Sequence, residues 1–187
     1  MGTDKLMSNT NQEEADTRLM LHVVNCMENG AKTVMVRSVD TDVVVILIGM
    51  FYHLIDRYPG VSIWVAFGTG RSFKHFHINT ACTTLGRNKC EAMLTFHAFT
   101  GCDTCSSFHG RKKTACSTWA SYTDVTSCFQ TIAKQPFVNP DIGILERFVV
   151  LLYDKTSSIE SVNNARQELF SKKNRNLENI PPYTSKT

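Results

Sequence analysis

The residues able to do chemistry are acids, and they stand in three places. Glu13, Glu14 and Asp16 cluster just ahead of a helical apolar stripe. Asp40 and Asp42 flank Thr41 directly after the β-branched run "TVMVRSV". Asp103 lies in "TGCDTCSSFHGRKKTA", between two cysteines and ahead of a basic run. Carboxylates held close repel one another and resist ionising together. A divalent cation removes that cost, and hard oxygen ligands suit magnesium or manganese. A pair of such ions activates water and stabilises the leaving oxygen in phosphodiester hydrolysis. Each acid also has a plainer use. Acids in a first helical turn favour the helix dipole whatever the function. A D-x-D after a strand serves as a turn with a helix cap as readily as a ligand pair.

The elements that must position these acids follow from periodicity. "NQEEADTRLMLHVVNCMENGAK" predicts a helix, capped by Asn11 with Glu14 as the box partner. Its stripe is Ala15, Leu19, Val23 and Met27, and Gly30 stops it. "TVMVRSV" predicts a strand of the buried parallel type, over 33–39. Asp40 and Asp42 then leave its carboxyl end, where the functional crevice of an open α/β sheet lies. "VVVILIGMFYHLIDRYPG" starts buried and continues as a helix to Tyr58; helix and strand are ambiguous in its first half. "VSIWVAFG" and "RSFKHFHI" predict two strands about a Gly68-Thr69-Gly70 turn. Helices follow: "NTACTTLG", "NKCEAMLTFHAFTG", a piece after Gly110, "DIGILERFVVLLYDK" and "SIESVNNARQELFSKKNRN". Pro181-Pro182 marks a linker stub. The order is that of an α/β layer with a helical extension. Because the layer opens on a helix, a first strand is expected to be missing.

Composition narrows the class. A chain of 187 residues is one domain by prior, with room for an appendage. A net charge of +3 permits nucleic-acid binding without arguing for it. The seven cysteines are odd in number and scattered, the start carries no apolar signal region, and no Asn-x-Ser/Thr site occurs. Reduced thiols and an intracellular location, nuclear or cytoplasmic, are the expectation. The longest apolar run, "VVVILIGMF", falls far short of a bilayer span, so no membrane partner is expected.

Taken together, the motifs resemble a known family. "EEADTRL…GAKTVMVRSVDTDVVVILIG" is similar to the internal nuclease segment of the flap-endonuclease and XPG-type structure-specific nucleases, within the PIN-like superfamily. Glu14 and Asp16 match that family's helix pair, and Asp40 and Asp42 match its strand-end pair. "KHFHI" resembles the segment ahead of the helices leading to a Gly-x-Asp. "TGCDTCSSFHGRKKTA" resembles that Gly-x-Asp with the helix–hairpin–helix-like turn after it, so Asp103 matches the last metal-binding acid. The likeness covers roughly residues 12–120, and its weight lies in the order of the motifs.

The resemblance implies a PIN-like α/β fold: a mostly parallel sheet with helices, and a helical carboxyl-terminal part. It implies a lead-in over 1–10, a PIN-like domain over 11–100 without its first strand, a helical extension over 101–178 and a stub over 179–187. Asp40, Asp42 and Asp103 would be catalytic and hold one magnesium or manganese ion. Glu14 and Asp16 would share a second ion with two acids that this chain starts too late to hold. DNA or RNA would be the partner, gripped at its phosphates by Gly110, Arg111, Lys112 and Lys113. The family's duplex-binding turn reads Gly-x-Gly-x-Lys; here Gly110 is followed by Arg111-Lys112-Lys113 and the second glycine is absent. The alternative is a non-catalytic PIN-like module that binds nucleic acid or protein.

Other sites compete weakly. Cys102-x-x-Cys105 is half a zinc site, with Cys82, Cys90, His75, His77 and His97 near in sequence, but no second C-x-x-C completes it. A redox reading needs the pair at a strand-to-helix start, whereas here it follows a helix. Packed core thiols are the favoured reading.

Overall fold

The computed structural model describes residues 15–101, 108, 111–135, 139–171 and 180–182. The chain divides into two compact units, residues 1–91 and 92–187. The division falls inside a helix, ahead of the boundary expected after residue 100.

The first unit is α/β. Helix α1 (Ala15–Glu28) leads to strand β1 (Thr33–Ser38), helix α2 (Thr41–Arg57) and strand β2 (Ser62–Phe67). A single 3-10 turn, Gly70–Ser72, precedes strand β3 (Lys74–His77), helix α3 (Ile78–Leu85) and the start of helix α4 (Arg87–Thr100). The strand order is β1-β2-β3. β1 runs parallel to β2, with Val34 opposite Ile63 and Val36 opposite Val65. β3 returns antiparallel to β2. The expected strand pair about residues 68–70 is present, and the sheet is mixed rather than mostly parallel.

The ambiguous apolar run is helical throughout. Val43, Leu47, Phe51 and Leu54 are buried at helical spacing, which places one stripe against the sheet. They join Val23 and Met27 of α1, Val34, Val36, Ile63 and Val65 of the sheet, and Ile78 and Cys82 of α3 in one core. The strand residues of that core alternate along β1 and β2, so α1, α2 and α3 all pack on a single face. This corrects the expectation that β1 is buried on both sides. Its burial alternates, and Met35 is 57% exposed.

Polar ties close the unit. The Tyr58 hydroxyl and Arg57 guanidinium donate to Glu28 Oε1 at 3.1 and 3.3 Å, joining the ends of α1 and α2. Arg87 donates two bonds to Asp56, at 3.0 and 2.9 Å, and its guanidinium lies 4.5 Å from the Tyr52 ring centre. The Arg87 cation holds the exposed Asp56 carboxyl below the usual range.

The second unit is helical: the rest of α4, α5 (Lys112–Ser121), α6 (Val125–Lys134), α7 (Ile142–Tyr153) and α8 (Val162–Ser171). Helix α6 is absent from the sequence expectation, although Val125, Cys128 and Phe129 form a buried stripe. The core is aromatic. Phe96 stacks on Trp119 at 4.1 Å, and Phe129 meets Phe148 edge-on at 5.8 Å. Such pairs add about 0.5–1.5 kcal/mol beyond simple burial. Asp141 caps α7, accepting from Gly143 and Ile144. Ile180 and Pro181, placed by sequence in a linker, are buried instead. The Arg166 guanidinium donates to the Pro181 carbonyl and holds that segment on the unit.

One glycine is required by geometry. Gly68 has φ +87°, and a Cβ there would stand 2.8 Å from the Ser72 carbonyl oxygen. Gly68→Ala therefore carries both left-handed strain and a backbone clash, and costs about 1–3 kcal/mol. At Gly30 (φ +87°) nothing lies within 4 Å of such a Cβ, so Gly30→Ala carries strain alone. Urea unfolding followed by circular dichroism is expected to rank Gly68→Ala below Gly30→Ala, with both below the parent chain.

Candidate metal and nucleic-acid site

The strand-end acids occupy a single turn. β1 ends at Ser38, whose hydroxyl accepts from the Asp40 amide at 3.0 Å. Asp40 is extended, with φ −92° and ψ 128°, and caps α2. Its Oδ1 accepts from the Asp42 amide at 2.9 Å. Asp42 lies in the first turn of α2 and is half-buried, whereas Thr41 between them is exposed. The carboxylate of Asp40 thus holds the backbone of Asp42. A capped helix start leaves Asp40 with acceptor capacity, since an ionised carboxylate offers about four lone-pair sites.

A second loop borders this turn. The Gly68 amide donates to the Ser38 carbonyl at 3.1 Å. That bond continues the β1–β2 ladder and sets the Gly68–Ser72 turn beside the residues leading into Asp40. Thr69, Arg71 and Ser72 decorate it with two hydroxyls and an exposed guanidinium. The sequence marks Gly68-Thr69-Gly70 only as a turn between two strands. Its signal was positional: it follows the strand that pairs with β1.

The remaining sequence-assigned residues are placed less completely. Asp16 stands in the first turn of α1, and its side chain lies outside the described residues, as do Glu14, Asp103 and Gly110. Lys112 begins α5, with its side chain likewise outside the description, and Lys113 is exposed in the same first turn. Arg111 immediately precedes α5, and its guanidinium lies 4.6 Å from the centre of the Tyr153 ring. This cation–π contact engages a group assigned to phosphate. Burial pushes the Tyr153 hydroxyl above its usual value, and the Arg111 cation opposes that rise. Among the described residues, no group of three His, Cys, Asp or Glu is placed to hold a metal ion.

Cys102 and Cys105 lie outside the described residues, whereas Cys82 and Cys90 are core. Cys82 and Cys90 are fully buried, and Cys90 Sγ donates to the Cys82 carbonyl at 3.7 Å. Hydrogen bonding to Cys90, reinforced by burial, pushes the Cys82 thiol well above its usual value. His77 is tied to Ser62 and Thr80, at 3.0 and 2.8 Å.

No helix among the described residues is long and apolar enough to cross a membrane. No family model, curated protein or solved structure matches the chain.

The cap makes a separable prediction. Asp40→Ala removes the acceptor of the Asp42 amide and destabilises the first unit by about 1 kcal/mol, whereas Asp40→Ser preserves most of the cap. Urea unfolding of the two variants beside the parent chain measures the difference.

Proposed function

We propose that the chain is the core of a metal-dependent nuclease domain of the PIN-like type, hydrolysing phosphodiester bonds in DNA or RNA. The observation that supports this most is the Asp40–Thr41–Asp42 turn. Two carboxylates sit at the carboxyl end of a parallel strand pair and at the start of a buried helix, the location where open α/β sheets carry their sites. Their donor chemistry suits magnesium or manganese: hard oxygens, one carboxylate fixed by a backbone bond. Asp40, Asp42 and Asp103 would hold one ion, and Glu14 and Asp16 would contribute to a second. The bound ions supply Lewis acidity and a water activated for attack on phosphorus. Asp40 orients Asp42 through its amide, which limits the freedom of the site before any ligand arrives. Arg71, Lys112 and Lys113 would attract the phosphate backbone without reading sequence.

A second reading has its own support. Asp40 already caps α2 and Arg111 already covers Tyr153, so both have structural duties. These duties favour a non-catalytic module that binds nucleic acid or protein.

End-labelled single-stranded DNA, duplex DNA and RNA, incubated with the chain in manganese and in EDTA, separate the readings. The nuclease reading expects cleavage that EDTA abolishes. Asp42→Asn should lower it about a hundredfold or more, the order lost with one preorganised electrostatic group. Nucleic-acid binding without cleavage, unchanged in Asp42→Asn, favours the second reading.

A further inference from the structure

We propose that the open face of the first unit's sheet is a binding platform for single-stranded nucleic acid, separate from the strand-end acids. All three helices of that unit before α4 pack on one face of the sheet, through Val34, Val36, Ile63 and Val65. Parallel strand pairs are ordinarily covered on both faces; among the described residues of that unit no helix packs on the opposite face of β1 and β2, where Met35, Arg37 and His75 are exposed although Ala66 is buried.

The composition of that face says what the occupant is. The strand register aligns two rows across it. Met35, Trp64 and His77 form one, and Arg37, Ala66 and His75 form the other. Trp64 and His77 stack, with centroids 4.3 Å apart and planes 22° apart. They are locked in place: Trp64 Nε1 donates to Ser62 Oγ at 2.9 Å, Ser62 Oγ bonds His77 Nε2 at 3.0 Å, and His77 Nδ1 bonds Thr80 at 2.8 Å. Phe73, from the loop before β3, reaches both ends of the second row. It meets His75 edge-on at 4.9 Å and lies 6.0 Å from the Arg37 guanidinium, on either side of the small Ala66. Met35 is 57% and Phe73 39% exposed.

Four aromatic rings therefore share one sheet face with an arginine, and no acid occurs among the residues of either row. A ligand with planar rings and negative charge complements it. Single-stranded nucleic acid supplies both, through bases that stack on aromatic side chains and phosphates that pair with cations. An aliphatic helix from another protein would leave the Arg37 cation and the two histidines of the face unmatched.

The test uses the full chain in EDTA, so that cleavage plays no part and failure of the nuclease reading leaves it intact. Fluorescein-labelled oligo(dT) and oligo(U) are titrated with the chain while their fluorescence anisotropy is followed, a readout that persists in variants lacking Trp64. The expected result is a saturable rise in anisotropy that weakens with salt. Trp64→Ala should bind roughly tenfold or more weakly, the range for loss of one stacked base. Trp64→Phe should bind nearly as the parent does. Arg37→Ala should flatten the salt dependence by about one phosphate contact. Circular dichroism confirms that each variant is folded. Three results would overturn the proposal. One is no binding to either oligonucleotide. Another is binding of undiminished strength in both Trp64→Ala and Arg37→Ala. The last is a parent chain that self-associates in light scattering and becomes monomeric in Trp64→Ala, which would assign the face to protein.

Discussion

The first unit depends on the parallel pairing of β1 with β2. A parallel pair cannot close through a tight hairpin; its connection must travel back along the sheet, and a helix is the economical way to do so. That obligation falls on α2, which crosses the core and buries Val43, Leu47, Phe51 and Leu54. A helix beginning right at a strand's end needs its first amides satisfied at once. Asp40 does this, and Ser38 in turn fixes Asp40. The acids at the candidate site are thus where the topology needs a cap as well as where it offers a crevice. Structure and chemistry ask for the same residue type at the same place.

The helical unit is held together by a different device. Its core contains Phe96, Trp119, Phe129 and Phe148, rings that tile against one another at several angles. Trp119 is also tied through its indole nitrogen to Thr126 at 2.9 Å. Arg147 fixes the segment after α7 by donating to the Ser157 and Ile159 carbonyls at 2.7 and 2.6 Å. Arg166 does the same for Pro181. Two arginines thereby bring irregular chain onto a helical core, since each offers several donors to backbone carbonyls that have no helical partner.

Much of this was legible in the chain. The stop at Gly30, the β-branched β1, the strand pair about Gly68 and the helix over "DIGILERFVVLLYDK" all follow from local rules, and each is found. Helix α6 was passed over because serine, threonine and glutamine dilute its stripe and no glycine or proline marks its start. The two-sided burial expected of β1 failed for a reason outside local reach: periodicity cannot say how many layers a sheet receives. Ile180 and Pro181 read as a tail because two prolines signal a break, and only tertiary packing reveals the pocket they fill. The dual role of Asp40 was visible as two alternatives, and the bond to the Asp42 amide realises the capping one while leaving the carboxylate further acceptor capacity.

The proposed metal site turns on Asp42, the described acid at the start of α2. The most direct measurement is calorimetric titration of manganese into the parent chain, Asp42→Asn and Asp103→Asn, each checked for its helical content. The account predicts saturable binding in the parent that is lost in both variants while the fold persists. A folded parent chain with no saturable binding, or binding that survives either substitution unchanged, would contradict it.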